Sequence, residues 1–126
     1  MDQDLTRLYG DWQELTGVLA GNAMPEEIVA ATKLTLGHDI YQVDLAGNID
    51  AGVCHFQMES NPLRMKIEGQ SGPNAGKTYL AILEVIGEDQ IRIAYDLSGS
   101  DYPASFDPTS EPRERAVVDD TRISGK

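Results

Sequence analysis

The heptad Gly72-Pro73-Asn74-Ala75-Gly76-Lys77-Thr78 joins a glycine-rich turn to a lysine and a hydroxyl, the ingredients of a phosphate-binding loop. Three residues separate the two glycines where that motif needs four. The segment also runs into an apolar strand pattern instead of opening a helix whose amides could hold phosphate. It reads as a hairpin turn that uses the positive φ open to glycine. Cys54 and His55 have the residue types of a nucleophile and its base, yet neighbours on a strand face opposite ways. A catalytic pair would need His38 to arrive from an adjacent strand, so Cys54 reads as a buried, inert thiol. His38 and Asp39, with Asp44 or His55, lack the HxH or HExxH spacing of a metal site. The acidic pairs Glu26-Glu27, Glu88-Asp89 and Asp119-Asp120 fall in cap and turn contexts and read as solvated surface, with no calcium loop among them. No catalytic residue, metal or cofactor is expected.

The elements that hold these residues follow from composition and period. The 126 residues point to a single domain over 1–126, large enough to bury about two thirds of its surface. Ten Lys and Arg against 21 Asp and Glu leave a formal charge of -11. That balance repels phosphate backbones and anionic headgroups, which argues against nucleic-acid and membrane partners. One cysteine cannot make an internal disulfide. No apolar run approaches the ~20 residues that span a bilayer. The acidic opening Met1-Asp2-Gln3-Asp4 does not resemble a signal peptide, so a soluble, cytoplasmic protein is expected.

Apolar residues recur mostly with period two, the signature of strands. Asp11–Ala20 reads as a strand on the alternation of Trp12, Thr16 and Val18. Pro25-Glu26-Glu27 opens a two-turn helix to Thr32, with proline and acids at its positive end. Lys33–Gly37, Ile40–Leu45, Asp50–Glu59, Leu63–Glu68, Lys77–Gly87 and Gln90–Leu97 follow as strands. Turn signals separate them at His38-Asp39, Ala46-Gly47-Asn48, Asn61-Pro62, Gly69–Gly76 and Gly87-Glu88-Asp89. Lys77–Gly87 is apolar on both faces. Ser98–Glu114 reads as a long loop, and Arg115–Ser124 as a last strand anchored by Val117 and Ile123. Eight strands joined by hairpins must bury one apolar face each, and a sheet closed on itself also satisfies its edges. The expected fold is all-β: an eight-stranded antiparallel up-and-down barrel with one short helix after the first strand. A two-sheet sandwich is the other arrangement.

The segments LYGDWQELTGVLAGNAMPEE, KLTLGHDIYQV and GPNAGKTYLAILEVIGEDQIRIAYD resemble an uncharacterised lipocalin-like domain family abundant in planctomycetes. The likeness covers roughly Leu8 to Arg122. Gly10-Asp11-Trp12 is also similar to the Gly-x-Trp of lipocalins broadly. That likeness implies a structural role for Trp12 as a plug at the closed barrel end, under an arginine near the last strand. Arg122 is the candidate, with Arg115 behind it, although Val117-Val118-Asp119-Asp120 replaces the family's unbroken apolar last strand.

Within such a barrel the lumen would be formed by Leu34, Leu36, Tyr41, Val43, Cys54, Phe56, Met58, Leu63, Met65, Ile67, Ile91, Ile93, Tyr95 and Leu97. An eight-stranded barrel either fills itself or holds one small ligand. The leading expectation is a lipocalin-like binding module for a small apolar or amphipathic ligand. Its site would be Tyr41, Cys54, Phe56, Met58, Met65, Ile93 and Tyr95, with the phenols orienting a polar end. The helix would act as a lid. The alternative is a filled barrel serving as a protein-interaction module through the Ser98–Glu114 loop. An enzyme would need an acid/base pair inside, and this lumen holds none unless Glu14, Glu84 or Asp96 turns inward.

Overall fold

The computed structural model describes residues 8–19, 22–57, 62–72, 74–87, 89–99, 101–103, 105–106 and 115–124. Met58, Asn61, Pro73, Glu88 and most of the Ser98–Glu114 loop therefore lie outside the described residues.

Strand β1 (Gly10–Leu19) is followed by a two-residue strand β2 (Asn22–Ala23) and helix α1 (Glu26–Ala30). Then come β3 (Thr32–Gly37), β4 (Ile40–Leu45), β5 (Asn48–Gln57), β6 (Leu63–Ser71), β7 (Thr78–Gly87), β8 (Gln90–Asp96) and β9 (Arg115–Ser124). The sheet order is β2-β1-β3-β4-β5-β6-β7-β8-β9, and β1 also pairs with β9. All pairings are antiparallel. Eight strands thus close an up-and-down barrel, with β2 appended to β1. Closure gives each of these eight strands a paired neighbour on both sides.

The hairpins obey local backbone rules. Ala46 and Gly47 both take positive φ, 52° and 94°, as a two-residue turn matched to strand twist requires. The Gly47 amide donates to Asp44 Oδ1 at 2.8 Å, which holds that turn. The 69–77 connection is a hairpin turn as well: the Gly69 amide donates to the Lys77 carbonyl at 2.8 Å, and the Gly76 amide to the Gly69 carbonyl at 2.9 Å.

Helix α1 is shorter than the Pro25–Thr32 segment expected. Thr32 belongs to β3, and its hydroxyl donates to the Ile28 carbonyl at 2.6 Å, closing the helix from its C-terminal side.

Strand phase is where sequence and structure part. β1 bulges between Glu14 and Thr16 opposite β9. An extra residue in one strand reverses the faces beyond it. Trp12 and Glu14 therefore face inward, whereas Thr16 is exposed; on the far side of the bulge the inward positions are Gly17 and Leu19. The expected alternation of Trp12, Thr16 and Val18 is therefore interrupted at the bulge.

On β9 the expected anchor Val117 is buried, on the outer face with Ile82, Ala94 and Phe106. Ile123, expected to anchor the strand as well, is exposed. The inner face carries Ala116, Val118 and Asp120.

The two-faced apolarity of β7 has a clear use. Ala81 and Leu83 enter the barrel core, while Ile82 enters the outer cluster. Beyond β8, Tyr102 and Phe106 among the described residues strap that outer surface. Asp96 starts this segment, accepting from the Ser98 amide, the Ser98 hydroxyl and the Asp101 amide at 3.0, 2.6 and 3.1 Å. Tyr102 then lies beneath Arg64, 4.6 Å from its guanidinium, and its hydroxyl accepts from Gln57 at 3.1 Å.

Candidate functional site

One end of the barrel is packed solid. Trp12 is 1% exposed, and its indole N–H donates to the Leu8 carbonyl at 2.9 Å. Arg122, its register partner on β9, places its guanidinium 4.3 Å from the indole centroid. The same guanidinium donates to the Tyr9 carbonyl at 3.0 Å and lies 3.6 Å from Asp89. A cation over an indole face, tied to backbone, closes this end both electrostatically and sterically. Leu36, Met65, Ile67, Ile91 and Ile93 fill the barrel behind it.

The other end is hollow. A cavity of about 350 Å³ is lined by Leu34, Tyr41, Val43, Leu45, Tyr79, Tyr95, Leu97, Ala116 and Val118. Leu19, Met24, Ile28 and Thr32 complete its rim, so α1 and Met24 ahead of it border part of it. Local pairing explains the space. β1 pairs with β3 only from Gly10 to Gln13, then continues with β2 and β9. Gln13 sits where the strands part, its Nε2 within 3.2 Å of the Val29, Ala30 and Thr32 carbonyls.

Two carboxyls face this apolar space. Glu14 and Asp120 are directly opposed across the β1–β9 ladder, 6% and 2% exposed, and both line the cavity. Like charges directly opposite on one sheet face repel. Burial, and then the Asp120 charge, push the Glu14 carboxyl up to about 7. Burial, and then the Asp119 charge, push Asp120 up to about 7 as well. Glu14 Oε2 and Asp120 Oδ2 are buried without a hydrogen-bond partner among the described residues. Gly17 makes the room, since a Cβ there would stand 2.6 Å from Glu14 Oε2 and 2.6 Å from Met24 Sδ. The adjacent Asp119 points outward and meets Arg92, which donates to its two oxygens at 2.7 and 3.2 Å.

The phenols meet the same space. Tyr41 donates to the Tyr95 hydroxyl at 3.4 Å, and burial raises both well above the ordinary phenol range. Asp50 lines the cavity from β5 and binds the 69–77 turn, accepting from the Asn74 amide at 3.1 Å and from its side-chain amide.

Of the residues expected to bind ligand, Tyr41 and Tyr95 line the cavity. Cys54, Met65 and Ile93 sit in the packed core, Phe56 packs against it, and Met58 lies outside the described residues. Burial, then Asp39, push the Cys54 thiol up to about 12, which leaves it protonated and inert at neutral pH. His55 is on the outer face, 3.9 Å from Glu68. Among the described residues, no group of three His, Cys, Asp or Glu is placed to hold a metal ion.

The lumen without carboxylates is corrected: Glu14 and Asp120 stand in it. Each had a signal in the sequence. Glu14 shares the parity of Trp12, and Asp120 shares that of Arg122, so a Trp–Arg stack on the inner face carries both acids inward.

No helix among the described residues is long and apolar enough to cross a membrane. A scan against protein-family models and searches of curated proteins and of solved structures find no match to this chain.

Proposed function

We propose that this protein is a lipocalin-like binding module that takes one small amphipathic molecule into the hollow end of its barrel. The likeness to the planctomycete lipocalin-like family belongs to the same reading. The observation that carries it is the cavity of about 350 Å³, inside the size range of small-ligand sites and walled mainly by aliphatic side chains. Burying a ligand's apolar body there gains ~25 cal/mol per Å² removed from water. The phenols and carboxyls are convergent polar groups of the kind that orient a ligand within such a wall. A net charge of -11 and a free, buried thiol accord with a soluble cytoplasmic carrier.

The test is binding of a neutral apolar probe, N-phenyl-1-naphthylamine, beside native mass spectrometry of protein purified without detergent. One probe per chain, with fluorescence lost in a Val43→Trp/Val118→Trp variant that still unfolds cooperatively, is the expected result. Wild-type protein that ignores the probe and flies without any adduct would overturn the reading.

A further inference from the structure

The cavity is unusual in the sign of its polar groups. Glu14, Asp50 and Asp120 line it, and no Lys, Arg or His does among the described residues. Asp50 is engaged by Asn74, and Arg92 holds Asp119 on the outside. That leaves Glu14 and Asp120, opposed across one ladder, each with a buried oxygen lacking a donor. A buried acceptor without a donor costs free energy until something supplies one. Two such acceptors side by side call for a group with several N–H donors and a positive charge. The aliphatic wall of Leu34, Val43, Leu97 and Val118 calls for an apolar body behind that group. A fatty-acid anion meets groups of its own charge there and is disfavoured. A bare metal ion is disfavoured too, because no third metal-ligating side chain joins the pair among the described residues.

Resting on the binding reading above, we propose that the ligand is a small amphipathic amine, and that Glu14 and Asp120 form its ammonium site. The ammonium would donate to Glu14 Oε2 and Asp120 Oδ2, with the Tyr41–Tyr95 hydroxyl pair, buried in the same lining, as a third polar contact. Such a charge-assisted bond is roughly twice as strong as a neutral one. The surface charge of -11 also favours the approach of cations.

The groups bearing on the pair set its pH response. Asp119 is its neighbour on β9, Tyr41 faces it from β4 and Tyr95 from β8, and Asp50 lines the same cavity from β5. Arg122 lies one step along the inner face of β9, held by Trp12, the Tyr9 carbonyl and Asp89. None of the acids or phenols offsets the pair's negative charge, and Arg122 is committed elsewhere. Burial raises both carboxyls and their mutual repulsion separates the two ionisations, so an ammonium binds more tightly as the pH rises out of the acid range.

The experiment displaces N-phenyl-1-naphthylamine with n-decylamine, n-decanol and decanoate, which share one chain and differ in head group. At pH 8 decylamine is expected to bind at least about tenfold tighter than decanol, with decanoate weakest. Lowering the pH to 5.5 should weaken decylamine severalfold and leave decanol unchanged. Glu14→Gln/Asp120→Asn should bring the amine-to-alcohol ratio to about one. If that variant does not fold, the wild-type pH series carries the same test. A bound probe that decanol or decanoate displaces as well as decylamine does, or that none of the three displaces, overturns the amine assignment and spares the binding reading. Protein that binds neither the probe nor any of the three overturns both.

Discussion

Trp12 and Glu14 are two residues apart on the same face of β1, and they belong to opposite halves of the barrel. At Trp12 the interior is apolar, filled, and capped by a cation whose contacts are all supplied by the protein. At Glu14 it is hollow and acidic, with oxygens that no described group satisfies. The first half has the character of a core and the second that of a site. Stability resides where every contact is made, and binding capacity where contacts are left open.

The largest effect should come from breaking the solid half. Trp12→Ala is expected to cost about 3–5 kcal/mol in urea unfolding, because it removes a fully buried ring and leaves a cavity. Truncating one aliphatic side chain in each half, compared per carbon atom removed, should then sharpen the contrast. Ile93→Ala in the filled half should cost about 2–5 kcal/mol. Val43→Ala in the hollow wall should cost about 1 kcal/mol or less, since its outer atoms already border empty space. Equal losses per carbon removed at the two sites would show that the two halves do not differ in packing.

The acid pair should behave oppositely to the core residues. A carboxyl raised from about 4 to about 7 keeps its proton in the native state after the unfolded chain has lost it. Stability from these two groups is therefore full below about pH 4 and declines as pH rises to about 7. Glu14→Gln or Asp120→Asn should thus stabilise the protein at pH 8 by on the order of 2 kcal/mol, with the gain gone at pH 4. Denaturant titrations at both pH values read this directly. A loss at pH 8 would mean that the ionised pair has partners after all.

The smallest effect is expected at Cys54. Its thiol, pushed up to about 12 inside the filled half, should react with a disulfide reagent at pH 8 only as fast as the protein unfolds. Rapid labelling of native protein would place an opening there.

Alternation alone made the architecture legible. Leu63, Met65 and Ile67 alternate with Arg64, Lys66 and Glu68, and the structure buries the first three. Ile91, Ile93 and Tyr95 behave the same way in β8. Turn residues such as Ala46-Gly47 delimited the strands because few residues accept positive φ. The candidate site was less legible. On β9 the expected anchors Val117 and Ile123 share one parity and Arg122 has the other, so they fall on opposite faces of a regular strand. The structure puts Arg122 inside, and Asp120 follows it. On β1 no local pattern announces the bulge that turns Thr16 out and Gly17 in.

The sequence by itself determined eight of the strands, their turns and their antiparallel hairpin succession, because period and backbone propensity act between near neighbours. The tertiary structure decided which face of β1 and β9 is interior, where β1 leaves β3, and that two acids meet across a ladder. Those outcomes depend on cross-strand register between residues more than 100 positions apart, as in Glu14 opposite Asp120. Local propensity carries no term for that distance, and only closure of the barrel brings the two together.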